Sequence, residues 1–281
     1  INHENSEEVS KAAEKIKTMI LKEKISPVLE KDISEAYENL NVDEELLKVS
    51  GNVLSLIKRG RSGAIVAVRT STISDIPGSC DNFLNIIGNK NLMNSVKECW
   101  SSFFNPGNIL SMKKNNHEDS IAVFIQKMID VNKSGVILSS NPMNREREIV
   151  IEASFGLGQL ITKGEVTPDL YIIGNDFRPK RGVLGRKKLK LIRDVNTNET
   201  VKKKLLDEEN IRVMQDWELE DAAKIAQKIE RIYNKPVIVE FGIGKKITIF
   251  HVRTFDLPEI IDKNILNGKI STDTFRNKIV L

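Results

Sequence analysis

Residues 64–85 read AIVAVRTSTISDIPGSCDNFLN. A β-branched run ends in Arg69, passes the hydroxyls of Thr70, Ser71 and Thr72, crosses Pro77-Gly78 and enters a second apolar segment. Gly78 lets backbone amides approach an anion with no Cβ in the way, Ser79 adds a hydroxyl donor, and Arg69 presents a planar fork matched to phosphate oxygens. This pattern predicts a strand followed by a phosphate-binding loop. The same residues also describe an ordinary tight turn after a strand, and spacing alone does not separate the two.

Working outward, the chain of 281 residues is long enough for one large domain or two lobes. Its 43 basic and 39 acidic side chains leave a formal charge of +4, a mild attraction to anions rather than the footprint of a dedicated nucleic-acid binder. Cys80 and Cys99 make no disulfide framework and have no CxxC metal spacing, which favours a reducing interior. No apolar run reaches the ~18 residues of a spanning helix, and INHENSEEVS is not a signal peptide, so no membrane association and a cytoplasmic location are expected.

Apolar residues at helical spacing (Val9, Ala13, Ile16, Ile20) predict an opening helix. Ser26-Pro27 offers an N-cap and first-turn proline for a second helix carrying Ile33, Tyr37 and Leu40. A third is expected within 43–58, broken near Gly51, and a fourth along Leu92, Val96, Cys99, Trp100 and Phe103. Residues 105–118, rich in asparagine with a proline and a glycine, read as a loop. Strands are expected at 121–128, 135–139, 149–153, 170–173 and 189–192, a helix at 218–233, and a hairpin from 237–241 and 247–252 around Gly242-Ile243-Gly244. Helices lead and strands dominate the middle, an α+β pattern.

Five segments resemble, in order, the nucleotide-binding domain of the phosphoenolpyruvate synthase and pyruvate phosphate dikinase family. They are Val68-Arg69-Thr70-Ser71 with Ile76-Pro77-Gly78, Asp81 and Leu84-Asn85; Gln126-Lys127-Met128-Ile129; Ser134-Gly135-Val136 with Pro142; Glu152-Ala153-Ser154-Phe155-Gly156-Leu157-Gly158 with Gly164 and Pro168-Asp169; and Val239-Glu240 with Ile249-Phe250-His251-Val252-Arg253. The resemblance implies an ATP-grasp fold, two lobes around a nucleotide cleft, preceded here by a helical segment. It assigns residues 1–256 to that domain, with the family's own N-terminal part missing. Residues 257–281 then form an exit helix and linker.

In the family's terms, Arg69 and Arg253 contact phosphates and carry catalysis, Gly78 and Ser79 belong to the phosphate loop, and Gln126, Met128 and Ile129 meet the adenine. Glu240 matches a metal ligand, and His251 stands at a second metal position that is usually glutamine. The implied cofactors are ATP with Mg2+ or Mn2+. Magnesium prefers oxygen ligands, whereas imidazole suits softer ions, so His251 is a departure with chemical content. A four-residue turn at 242–245 puts Glu240, His251 and Arg253 on one face but leaves His251 four residues beyond Glu240's partner, roughly 13 Å at ~3.3 Å per residue. Sharing one ion then needs twist, a bulge or long reach.

Phe155-Gly156-Leu157-Gly158 is expected to bring backbone close to a ligand, and Gln159 stands where the family often has glutamate. The basic residues 178–190 lack interleaved aromatics, and Gly185 with Lys187 resembles a family hairpin, so a solvated or phosphate-facing hairpin is expected there rather than a nucleic-acid patch. None of His3, His117 and His251 lies in the family's relay context. The expected function is therefore the ATP half-reaction of a phosphotransferase. Its partners are a phosphohistidine swivelling domain and a phosphoenolpyruvate or pyruvate domain, downstream or on a separate chain. The alternative is a non-catalytic nucleotide-binding or interaction paralogue of the same fold.

Overall fold

A computed structural model describes residues 6–40, 63–72, 80–115, 120–143, 148–206 and 210–257. The helix expected within 43–58, the loop residues Gly78 and Ser79, and the expected exit segment beyond 257 lie outside the described residues. The described chain divides into two compact units that meet in sequence between Met128 and Ile129.

The first unit contains α1 (Ser6–Lys22), α2 (Pro27–Asn39), β1 (Val66–Thr72), β2 (Phe83–Ile86), α3 (Asn89–Ser102), α4 (Pro106–Asn115) and β3 (Ile121–Lys127). Ser26 caps α2 as its sequence announces, its hydroxyl accepting from the Leu29 amide at 3.3 Å with Pro27 in the first turn. Tyr37 then ties α2 to the sheet: its hydroxyl donates to Ala64 O at 2.6 Å and accepts from Gly88 N at 2.9 Å. The sheet runs β2-β1-β3, antiparallel throughout. Because side chains alternate, Val66 and Val68 enter a core with Leu92, Val96 and Cys99 of α3, while Ala67, Arg69 and Ser71 take the opposite face.

Of the loop expected at 105–118, the described residues 105–115 take another form. They contain α4, and the turn-like residues turn out to be its start: Asn105 Oδ1 accepts from Asn108 N at 2.9 Å, and Pro106 opens the helix. Asparagine followed by proline is a loop signal and a helix-start signal alike, and here the cap prevails.

The second unit is built on a six-stranded antiparallel sheet in the order β11-β10-β4-β5-β6-β7. Its strands are β4 (Lys133–Leu138), β5 (Ile149–Phe155), β6 (Asp169–Ile173), β7 (Pro179–Val183), β10 (Val237–Ile243) and β11 (Ile247–Thr254). A short helix α5 (Gln159–Thr162), a two-stranded ribbon of β8 (Leu189–Arg193) and β9 (Thr200–Lys204), and the long helix α6 (Asp216–Tyr233) complete it. Leu219, Ala222, Ala223 and Ala226 of α6 pack on Ile137, Ile151, Tyr171 and Val239 in the main core. The three alanines let the helix approach the sheet closely, and each large apolar side chain buried there contributes about 1.5–3 kcal/mol. A capping box starts α6, with Gln215 N donating to Glu218 Oε2 at 2.7 Å, and Asn234 at φ 51 ends it.

The expected strands all form, within a few residues of their expected ends. β2 and β9 were not anticipated, because their sequences FLNI and TVKKK lack an apolar alternation, and the hairpin expected within 178–190 is replaced by β7 pairing with β6 and β8 with β9. β7 and β2 are edge strands, where one face of pairing suffices and a leading proline is tolerated.

Candidate nucleotide-binding surfaces

In the first unit, β1 and β3 pair with Arg69 opposite Phe124 and Ala67 opposite Gln126. That register sets Arg69 and Gln126 diagonally on the face away from the core. Arg69 Nη1 donates to Gln126 Oε1 at 3.4 Å, and its guanidinium lies 5.6 Å from the centroid of the Phe124 ring. The pair is thus oriented as one group, with the arginine fork held over an aromatic face. Asn82 supports the strand beside it by accepting from the Thr70 amide at 2.9 Å. Past β3, the Met128 amide continues the pairing by donating to Ile65 O at 2.8 Å, and Ile129 is exposed.

In the second unit, the β10–β11 hairpin corrects the expected register. The turn is Gly244-Lys245-Lys246, Ile243 pairs with Ile247, and a β-bulge between Glu240 and Phe241 leaves Phe250 as the extra residue on β11. Glu240 therefore sits directly opposite His251, not four residues short of it. The alternation that buries Val239 and Phe241 against α6 turns Glu240 the other way, together with His251 and with Arg253 two residues along. All three are half-buried. Among the described residues no group of three or more His, Cys, Asp and Glu could hold a metal ion. A carboxylate and an imidazole side by side fit an ion that takes its remaining ligands from phosphate and water.

The glycine pair behaves differently from expectation. Gly156 sits at φ 78, and a Cβ there would stand 2.3 Å from Leu191 O, so the close approach it permits is to β8. Its amide donates to Asn132 O and that of Leu157 to Leu191 O, both at 2.8 Å, while Ser134 Oγ donates to Gly156 O at 2.6 Å. The loop packs the ribbon against the sheet.

Lys187 is a further correction. The expected solvated or phosphate-facing lysine is fully buried and paired with Asp169, itself fully buried. Asp169 Oδ1 also accepts from Gly185 N at 2.8 Å, and Oδ2 accepts from Tyr171 Oη at 2.9 Å and Val213 N at 2.8 Å. Gly185 is required where it stands, since a Cβ would meet Thr167 O and Pro168 O at 2.1 Å. Burial, and then the charge of Asp169 against a lowering bond from Met214 N, push the Tyr171 hydroxyl up to about 12. Cys99 is also pushed up to about 12, by burial and then by Asp81, so its thiol is a core group rather than a nucleophile. Sequence inspection missed the Asp169–Lys187 pair; an acidic residue within an apolar run was the available signal.

One more charged contact lies near the start of this unit. Arg193 at the end of β8 donates through Nη2 to Asp130 and through Nη1 to Asn198 in the β8–β9 turn, both at 2.9 Å. The segment it holds also donates from Asn132 N to Ile243 O at 2.9 Å. Thus the residues just after Ile129 are fixed to the ribbon and to β10.

Residues 1–256 match the family model described as pyruvate phosphate dikinase, AMP/ATP-binding domain. A probable phosphoenolpyruvate synthase of Archaeoglobus fulgidus is 42% identical over 200 residues, 67% of this chain and 26% of that protein. An uncharacterized phosphotransferase of Bacillus subtilis, YvkC, is 34% identical over 68% of this chain and 24% of its own length. The phosphoenolpyruvate synthase of Pyrococcus furiosus is 29% identical over 86% of this chain and 30% of its own length. The chain thus spans about a quarter to a third of these relatives. With 256 of its residues matched, the chain belongs to the pyruvate phosphate dikinase AMP/ATP-binding domain family.

Proposed function

We propose that this chain is the ATP-grasp module of a phosphoenolpyruvate synthase or dikinase-like phosphotransferase, acting in the cytoplasm. It binds ATP with a divalent cation and delivers phosphate to a histidine on another domain or chain. The observation that carries this is the collection of Glu240, His251 and Arg253 on the sheet face opposite α6. A carboxylate, an imidazole and a guanidinium collected on one half-buried sheet face form the kind of cluster that marks a ligand site.

Phosphoryl transfer asks the protein for position and charge neutralisation rather than covalent chemistry. Arg69 and Arg253 supply guanidinium forks for phosphate oxygens. Arg69 is held for that task by Gln126 and Phe124. Gln126, Met128 and Ile129 are assigned to the adenine; the Met128 amide is already bonded to Ile65 O, which leaves the Gln126 side chain and the Ile129 backbone to read the base. Gly78 and Ser79 complete the phosphate loop in this reading. Glu240 and His251 would hold the cation, which when bound neutralises phosphate charge. The accepting histidine and the phosphoenolpyruvate or pyruvate domain belong to the partners that full-length relatives suggest.

Titration of the chain with ATP, AMP and inorganic triphosphate, each with and without a divalent ion, tests the reading. Binding of ATP that strengthens with the ion is expected. Equal, weak binding of all three ligands, unaffected by the ion, would leave a non-catalytic module as the better description.

A further inference from the structure

We infer that the cation site of this chain is selective for first-row transition divalents, Co2+ over Mn2+ and both over Mg2+, and that the ion is taken up together with nucleotide phosphate. This rests on the nucleotide reading above and gives it a metal identity.

The inference starts at Gly242. A Cβ at that position would stand 2.6 Å from Phe250 Cζ and 2.7 Å from Val131 Cγ1, so the missing side chain makes room for the Phe250 ring. Phe250 is the residue left over where β11 bulges, and its ring seated on Gly242 holds the bulge in place. The bulge advances the pairing by one residue. Ile249 pairs with Phe241, and the next pair along is His251 with Glu240. Without it, continuation of the turn's register would place Phe250 opposite Glu240. One glycine thus helps bring an imidazole beside a carboxylate on the sheet face away from α6.

Directly opposite residues of an antiparallel pair have Cβ atoms about 4.5–5.5 Å apart, within reach of one ion for a glutamate and a histidine. The donor set is then mixed. A carboxylate accepts Mg2+, Mn2+ and Co2+, whereas an imidazole nitrogen adds little for Mg2+ and progressively more from Mn2+ to Co2+. With two protein donors, the other coordination positions fall to phosphate and water. Arg253 lies two residues from His251 on the same face, about 6.6 Å along the strand. Its positive charge opposes a bare dication and is offset once phosphate is present, so ion and nucleotide bind as a unit.

The test uses the chain with a non-hydrolysable ATP analogue. Calorimetry should rank analogue affinity Co2+, Mn2+, Mg2+, with Mn2+ at least about tenfold above Mg2+. Electron spin echo spectroscopy of the Mn2+ complex should show nitrogen modulation from an imidazole. His251→Gln should abolish that modulation and bring the Mn2+ and Mg2+ affinities within about threefold of each other, an oxygen replacing the nitrogen. Gly242→Ala, which keeps both donors but displaces Phe250, should weaken the modulation as well. Absence of nitrogen modulation in the parent, its persistence in His251→Gln, or equal affinities with all three ions would overturn the selectivity while leaving nucleotide binding intact. Failure of the parent to bind the analogue with any ion would instead overturn the nucleotide reading, and the selectivity with it.

Discussion

Two pairs of polar side chains in the second unit have opposite fates. Asp169 and Lys187 lie at the β6 end with no exposed surface, and both carboxylate oxygens are engaged by named donors. Glu240 and His251 stand opposite one another on β10 and β11, half-buried, on the face away from α6. Each sets a carboxylate beside a nitrogen side chain among apolar neighbours. What separates them is coverage: one pair is enclosed on every side and satisfied by its own fold, while the other keeps part of its surface in contact with solvent. The closed pair organises the fold; the open pair is the one that solvent and solutes can reach.

The strongest way to break that contrast is to unpair the closed site. Asp169→Asn or Lys187→Met leaves one buried charge uncompensated and should cost about 3–5 kcal/mol, enough to unfold much of the chain. The double change Asp169→Leu with Lys187→Met should recover part of the loss, because an apolar pair carries no desolvation penalty. Chemical denaturation measures all three. If the single variants lose less than about 1 kcal/mol, the closed pair is no more structural than a surface bridge.

At the open sites the expected effects move from stability to affinity. Arg69→Ala should weaken ATP by about 1.5–3 kcal/mol through loss of a charge-assisted contact, and AMP much less. Glu240→Gln should remove the dependence of ATP binding on a divalent ion and leave the melting temperature nearly unchanged. Calorimetry with both nucleotides, paired with thermal unfolding, checks these outcomes. Equal losses for ATP and AMP in Arg69→Ala would take that arginine out of the phosphate site.

The closed and open pairs were unequally legible in the sequence. Arg69, Gln126, Glu240, His251 and Arg253 were singled out by the resemblance to the family, residue type alone leaving each an ordinary strand or surface position, and the alternation along β1, β3, β10 and β11 puts them on their faces. Register was not legible: the bulge depends on a ring packing over Gly242, a tertiary fit with no periodic signature. Nor was the burial of Lys187, since a lysine amid Arg186, Lys188 and Lys190 reads as solvated until Asp169 is found beneath it. The α4 helix was lost because Asn105-Pro106 signals a turn and a helix start equally.

Lys133 and Glu218 offer an intermediate case. The ammonium reaches both carboxylate oxygens at 2.8 Å, with the lysine side chain 22% and the glutamate 4% exposed. Glu218 also closes the capping box of α6 by accepting from Gln215 N. Lys133→Met should therefore cost about 1–3 kcal/mol, less than opening the Asp169 pair, because the lysine end of this pair is partly exposed and water can reach the carboxylate once the ammonium is gone. A loss as large as that of Lys187→Met would show that coverage does not set the scale.

The smallest effect belongs to Arg193 and Asp130, where the acid side chain is 85% exposed and the arginine 22%. Water competes for the carboxylate, and salt screens what remains. Asp130→Asn should cost less than about 1 kcal/mol in low salt and nothing measurable in 1 M salt, where the Debye length falls to about 3 Å. The arginine retains its bond to Asn198, so the β8–β9 turn should survive the change. The sharper measurement is adenosine affinity, since Asp130 directly follows Ile129. A salt-independent loss of adenosine binding with unchanged stability would move this pair from the surface class to the open class, as a contact that positions the base-reading backbone.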